Sequence, residues 1–393
     1  MNLRLWAIVV GVSWVTISTD VPSARCEGQT PRNVWHPGGP VSTLALGPQG
    51  KMIWFSMWDR ASSGYRLHSI DTSGSSDSPR VIESVPPVVS LFSIAVSPTG
   101  RRVACCCFEK SPNGGFQNVV RFVNTESAEQ EASYRLSKVT VPFNRSGFPF
   151  QSVWENEASL LVYDHSDSSL HRVDASGEQG SRMARLDEMT SKTEEIGYVS
   201  DIVTFPNGDI GLSYVNQLIV ENKAERLHDG KVLRFALVRL DSSGSQIRDV
   251  IQKERRVGHA SGVWPIFALS PSLGCLGHSQ AFASRQPELQ LADPASLTEV
   301  RKLSIPPSTA DGSHTQTNRE HLVISRDGRS IAFLERALDE SKEARQADAD
   351  LSELTPLEFV RRQGETLSRR LKHPNGTIVV ANTLDSDAIP PRR

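Results

Sequence analysis

Residues Phe92 to Phe108 read "FSIAVSPTGRRVACCCF". An apolar run meets Ser97-Pro98-Thr99-Gly100, then two arginines, then a second apolar run holding three consecutive cysteines. Proline at the second turn position presets its backbone angle, and a closing glycine accepts the positive φ that reverses the chain. The stretch therefore predicts two strands joined by a tight turn, with Cys105, Cys106 and Cys107 on the second strand. Whether these thiols form a redox or metal site, or fill a core, depends on what surrounds that strand.

The same plan recurs. "STLALGPQGKMIWFSMW" from Ser42, "FPFQSVWENEASLLVYD" from Phe148, "VSDIVTFPNGDIGLSYV" from Val199, "WPIFALSPSLGCLGHSQ" from Trp264 and "HLVISRDGRSIAFLER" from His321 each pair two apolar runs about a turn. With Gly47, Ser97, Glu155, Phe205, Ser270 and Ser325 as anchors, the intervals are 50, 58, 50, 65 and 55 residues. Each unit has a second half in which β-formers lead to a polar turn: "YRLHSIDTSG", "NVVRFVNTES", "SLHRVDASGE", "FALVRLDSSG" and "PELQLADPAS". Short strands between Gly, Pro, Asp and Ser clusters, about four per repeat of roughly 40 to 50 residues, are the period of a propeller blade. A two-sheet sandwich would use the same strands and turns, but has no reason to repeat one signature at this spacing.

These residues resemble the TolB-like propeller repeat, related to WD-type repeats, in which an apolar strand, Ser-Pro-Asp-Gly, a basic residue and Ile-Ala-Phe follow one another. "VSPTGRRVACCCF" and "ISRDGRSIAFLER" match best, "LGPQGKMIWF" and "TFPNGDIGLSYV" less closely, and "VWENEASLLVYD" keeps the pattern without Pro or Gly. The resemblance covers about Val41 to Leu384. The expected fold is all-β: a six-bladed β-propeller over residues 33–393, with a helical insertion in the last blade.

That insertion is read at 338–372. "TPLEFVRRQGETLSRRLK" has Thr355 to cap, Pro356 for the first turn, Glu358 to complete a capping box, and Leu357, Val360, Gly364, Leu367 and Leu371 on one face. "GTIVVANTLD" from Gly376 then resumes the strand pattern; a seventh, degenerate blade starting at "HPNGTIVV" is the alternative. "NVWHPGG" from Asn33 is placed to supply the closing strand of the last blade, because ring closure removes exposed sheet edges.

Residues 1–26 have the layout of a secretory signal peptide: Arg4, an apolar run from Leu5 to Ile17, and small residues before Arg25 and Cys26. A membrane anchor is the competing reading, although the run is shorter than the roughly 20 residues a span needs. The expected localisation is exported: periplasmic, cell-envelope or extracellular. With 43 basic against 45 acidic side chains and no basic block, a nucleic-acid partner is not suggested.

Chemistry is sought where the innermost strands begin, at the mouth of the central channel. Four residues before the anchors, or five in the case of Phe150 before Glu155, stand Thr43, Ser93, Phe150, Asp201, Ile266 and His321, of which Thr43, Ser93, Asp201 and His321 form the candidate ligand-binding set. A calcium-dependent lactonase or esterase would need several oxygen ligands converging there. Phe150 and Ile266 do not suit such a cage, so no cofactor is expected, and calcium enters only with the hydrolase alternative. "GHSQA" at Gly277 lies on an expected strand with no helix behind it, unlike a nucleophile elbow. "YDHSDSSLHR" gathers Asp164, His165, Asp167 and His171 at a turn, where Asp and Ser serve turn geometry. Trp54, Trp58, Trp154 and Trp264 fall on strands or their ends and are read as wedges between blades. The expected function is a non-catalytic exported scaffold that binds a protein or small ligand at one face, with no catalytic residue assigned and no membrane span retained after cleavage. Cys105 and Cys107 face one way and Cys106 the other, so adjacent thiols are badly placed to pair. Cys275, three repeats on, falls on the opposite side of a six-membered ring, and the expectation is free, buried thiols.

Overall fold

The computed structural model describes residues 33–72, 78–139, 150–165, 168–185, 198–205, 207–218, 231–257, 266–270, 275–279, 288–292, 299–304, 317–337 and 377–382. The expected signal peptide, the helical insertion at 338–372 and Trp264 lie outside these residues, and no helix occurs among them.

The strands form four-stranded antiparallel sheets in chain order. The first holds β2 (Val41–Leu46), β3 (Met52–Asp59), β4 (Gly64–Asp71) and β5 (Arg80–Val81). The second holds β6 (Ser90–Val96), β7 (Arg102–Lys110), β8 (Phe116–Asn124) and β9 (Gln130–Val139), and the third β10 (Phe150–Asn156), β11 (Ser159–Asp164), β12 (Ser169–Asp174) and β13 (Gly180–Arg185). β14 (Tyr198–Thr204), β15 (Ile210–Leu218), β16 (Lys231–Leu240) and β17 (Ile247–Val257) make the fourth. The fifth, described by its backbone alone, holds β18 (Ile266–Ser270), β19 (Cys275–Ser279), β20 (Glu288–Ala292) and β21 (Glu299–Ser304). The last is ordered β1 (Asn33–Trp35), β24 (Thr377–Asn382), β23 (Ser330–Ala337) and β22 (Thr317–Ile324).

The first strands of successive sheets touch one another in turn, from β2 on β6 through β10, β14 and β18 to β22, which returns to β2. This is the arrangement of a β-propeller. The strand from Thr377 does not start a further blade: it pairs with β23 on one side and with β1 on the other, Asn33 opposite Val380 and Trp35 opposite Ile378. The alternative of a seventh blade is thereby corrected, because the outer edge of β24 is taken by the chain's own N-terminal strand rather than by a new sheet.

The repeat anchors do a definite job at the turns. Gly47, Ser97, Phe205 and Ser325 each accept from the amide of a glycine three residues on, at 2.8 to 2.9 Å; Gly47, Ser97 and Ser325 donate to the first carbonyl of the returning strand, and Phe205 to that of Asp209 just before it, all at 2.8 Å. The closing glycines, Gly50, Gly100, Gly208 and Gly328, have φ between +67° and +84°, in the left-handed region where a Cβ is costly. The third sheet lacks this turn, and Asn156 replaces it by accepting the Ala158 amide on its side chain at 2.8 Å. At the outer turns Asp174 and Asp241 accept the amides of Ser176 and Ser245 in the same way.

Between sheets the core is divided by strand alternation. Cys105 and Cys107 pack with Trp54, Leu67 and Leu91 between the first and second sheets, whereas Cys106 packs with Phe122, Phe150 and Trp154 between the second and third. All three are free, fully buried thiols, with Cys106 and Cys107 opposite Val120 and Val119 in the register. Burial pushes the Cys107 thiol up to about 12 and those of Cys105 and Cys106 well above the ordinary range, so none is an activated thiolate. The strand is a core strand, as its sequence predicts.

Two outcomes follow. In the native protein the Arg102–Lys110 segment takes up maleimide far more slowly than in denaturant, as read by peptide mass spectrometry; equal rates would contradict the packing. Gly100→Ala lowers stability by about 1–2 kcal/mol, the left-handed penalty. Gly50→Ala costs more, because its new Cβ would also collide with the Ser330 side chain across the seam to the last sheet. Urea midpoints of the two variants check the order.

Candidate functional site at the mouth of the ring

Four innermost strands share a feature that the sequence pattern hides. The pairing slips between Val41 and Thr43 on β2, between Leu91 and Ser93 on β6, between Val199 and Asp201 on β14, and between Glu320 and Val323 on β22. Each slip is a bulge, and each falls at or beside a candidate residue. His321 lies within its bulge at φ 53°, a left-handed conformation uncommon for a residue with a Cβ. β10 and β18 run regularly through Phe150 and Ile266, so the mouth positions are not equivalent around the ring.

Thr43 and Ser93 are buried, and Asp201 and His321 half-buried. The pairs at this level are Thr43 with Ser56, Ser93 with Cys106, Ser152 with Val162, and Asp201 with Ser213. Small polar residues thus form a belt on the first two strands. Its hydroxyls work between sheets: Ser42, the bulged residue of β2, donates to the Leu91 carbonyl of the next sheet at 2.7 Å and accepts from Ser56. Ser93 and Ser152 bond each other at 2.8 Å, joining the second and third sheets. Trp154 donates its indole N–H to the Ala95 carbonyl at 2.9 Å across the same seam. Asp201 accepts the amide of its neighbour Ile202 at 2.8 Å.

Chemically this is a structural belt that can offer hydrogen bonds to a neutral polar ligand. The Ser42 proton is committed to a carbonyl, which ties a seam instead of arming a nucleophile. No group of three or more His, Cys, Asp or Glu side chains placed to hold a metal ion occurs among the described residues. Of the "YDHSDSSLHR" cluster, Asp167 lies outside the described residues, and Asp164 and His165 point to different seams. Asp164 shares the face of β11 that packs toward the second sheet, while His165 bonds the Val199 carbonyl of the fourth at 3.1 Å. Burial lowers the His165 pKa to about 4, so at neutral pH its neutral ring donates that bond. Trp54 and Trp154 are wedges between sheets, as expected. Trp58 instead sits half-buried at the mouth end, edge-on to Tyr65 at 5.2 Å.

The opposite end carries a polar seam that the motif reading left aside. Thr99, Arg101, Arg102, Asn124, Glu131 and Glu157 line a cleft there. Arg102 pairs with Glu131 at 2.9 Å and reaches the Glu157 carbonyl at 3.3 Å, while the Thr99 amide donates to the Glu157 carboxylate at 2.6 Å. Arg172 forks onto Glu155 and also reaches the Ser242 carbonyl at 2.8 Å in the fourth sheet. Arg101 and Arg102, the basic pair directly after the turn glycine Gly100, are the sequence signal for this cleft.

No protein-family model matches the chain, and no curated protein matches it. Solved structures do resemble it. The WD40 repeats of RRP9 superpose with a TM-score of 0.48 at 8% identity, over 91% of this chain and 99% of that one. A chain of a mitotic checkpoint complex gives 0.45 at 13% identity, over 85% and 96%. TolB from Acinetobacter baumannii gives 0.40 at 14% identity, over 66% of this chain and 53% of TolB. The likeness is to WD40 and TolB propellers in strand architecture; the propeller assignment itself rests on the pairing described above.

Removing a belt tie is expected to cost stability. Ser42→Ala leaves the Leu91 carbonyl without its side-chain donor, and Trp154→Phe does the same to Ala95, each worth about 1–3 kcal/mol for a buried group. Chemical denaturation of the two variants reads this out, and unchanged midpoints would show that the belt does not hold the sheets.

Proposed function

We propose that the chain is an exported, six-bladed propeller that binds a protein partner at the mouth face and carries no cofactor. The observation behind this reading is the use of the belt hydroxyls: Ser42 and the Ser93–Ser152 pair bond the neighbouring sheet, leaving them a holding role. Among the described residues the exposed large hydrophobics are Val89 (38% exposed) and Phe116 (40%), at the starts of the first and third strands of the second sheet, on the mouth side. Trp58 and Tyr65 stand at the same end of the first sheet, and the Val88 backbone pairs with Tyr65. A rim of this kind suits apolar contact with a protein surface. Six blades are supported by the six four-stranded sheets among the described residues and by the return of β22 to β2. The reading of export rests on the layout of residues 1–26; a small ligand, the alternative occupant of this face, would meet Thr43, Ser93, Asp201 and His321. No helix among the described residues is long and apolar enough to cross a membrane.

The test has two arms. Capture from an envelope fraction by the tagged protein should give a saturable partner, and Phe116→Asp with Val89→Asp should weaken its binding at least tenfold while leaving the melting temperature in place. Undiminished binding by that variant would overturn the assignment of the face. In parallel, the purified protein should contain no stoichiometric calcium and show no thermal shift on chelation. A bound, stabilising calcium would instead establish the lactonase or esterase type of site.

A further inference from the structure

His68 lies on β4, with Leu67 before it turned toward the second sheet. Alternation places His68 on the other face, with its cross-strand partner Phe55 and with Ile70, which pack against Ala332, Leu334, Ile378 and Val380 of the last sheet. Its ring is 4% exposed and stacks on Phe55, with centroids 5.4 Å apart and planes 16° apart. Neither ring nitrogen has a hydrogen-bond partner. An imidazole sealed in this way costs stability even when neutral, and a charged one costs far more unless a counter-charge is at hand.

The surrounding charges do not supply one. Arg66, two residues along the same face of β4, adds a positive charge, and Asp59 is taken up by Arg66 at 3.0 Å and by Ser62 at 2.7 Å. On β5, Val81 is the residue paired with His68, and the exposed Arg80 pairs with Ser69. From the last sheet, the packed positions on β23 and β24 are apolar, and Trp35 of β1 joins the same core. His36, just beyond β1, is exposed and bonds Thr377 at 3.2 Å. This seam is also where the ring is closed by the pairing of β1 with β24.

We propose that His68 is an acid-sensitive latch on the ring closure: once protonated it cannot stay in the seam between the first and last sheets, and the β1–β24 closure loosens. The direction follows from linkage. Burial, assisted by Arg66, lowers the pKa of His68 from 6.5 to about 4, so the folded state binds fewer protons than the unfolded chain between those values. The contribution is fully present above about pH 6.5 and is lost as pH falls toward 4, by up to about tenfold in the folding constant per pH unit. His165 lies in a different seam, between the third and fourth sheets, where its ring donates to the Val199 carbonyl.

Hydrogen exchange resolved by peptide separates the two. Between pH 7 and 5, after correction for intrinsic exchange, the wild-type peptides spanning Asn33–Trp35 and Thr377–Asn382 should lose protection at least tenfold, and His68→Phe should abolish that loss while keeping the stack on Phe55. Equal acid sensitivity of these peptides in wild type and His68→Phe would overturn the latch. Should that variant not fold, titration of the wild-type His68 ring signal by NMR decides: a midpoint near 6.5 would also overturn it, and one near 4 supports it.

Discussion

Everything in this architecture depends on three residue pairs, Asn33 with Val380, Val34 with Val379 and Trp35 with Ile378. They take up the outer edge of β24, which would otherwise be an open template for another strand. They also fix the two ends of the described chain to one sheet, so that β22 is held against β2 and each first strand is wedged between two others. Trp35 carries the closure into the core shared with Phe55 and Leu334. The entropic cost of closing so long a chain grows only slowly with length, which is how so short a strand can serve as the clasp.

Much of this is legible in the sequence because the turns are local chemistry. Gly47, Ser97, Phe205 and Ser325 sit where the pattern puts them, since a glycine at positive φ three residues on needs no tertiary context to be recognised. Asn156 substitutes a side-chain carbonyl for the missing glycine turn, which explains how the third repeat keeps its place without Pro or Gly. The facing of Cys105, Cys106 and Cys107 is equally local, being set by strand alternation.

The mouth of the ring is less legible. "VSTLAL" reads as an ordinary strand, and nothing in it announces that Ser42 is displaced by a bulge and donates to Leu91 in the neighbouring sheet. A bulge is a relation between two strands, decided by the register of the partner. His321 shows the same limit, because its left-handed φ is imposed by the pairing of β22 with β23 on a residue whose type does not ask for it. Aligning Phe150 and Ile266 with Thr43 and Ser93 treats as equivalent positions that the bulges separate.

The burial of the three thiols has a consequence for biogenesis. Cys105 to Cys107 are shielded by neighbours from the first and third sheets, so their safety is a property of the assembled ring and not of the strand that carries them. A nascent chain exposes three adjacent reducing groups until those flanking sheets have docked. Their protection therefore begins only when those flanking sheets close over both faces of the strand.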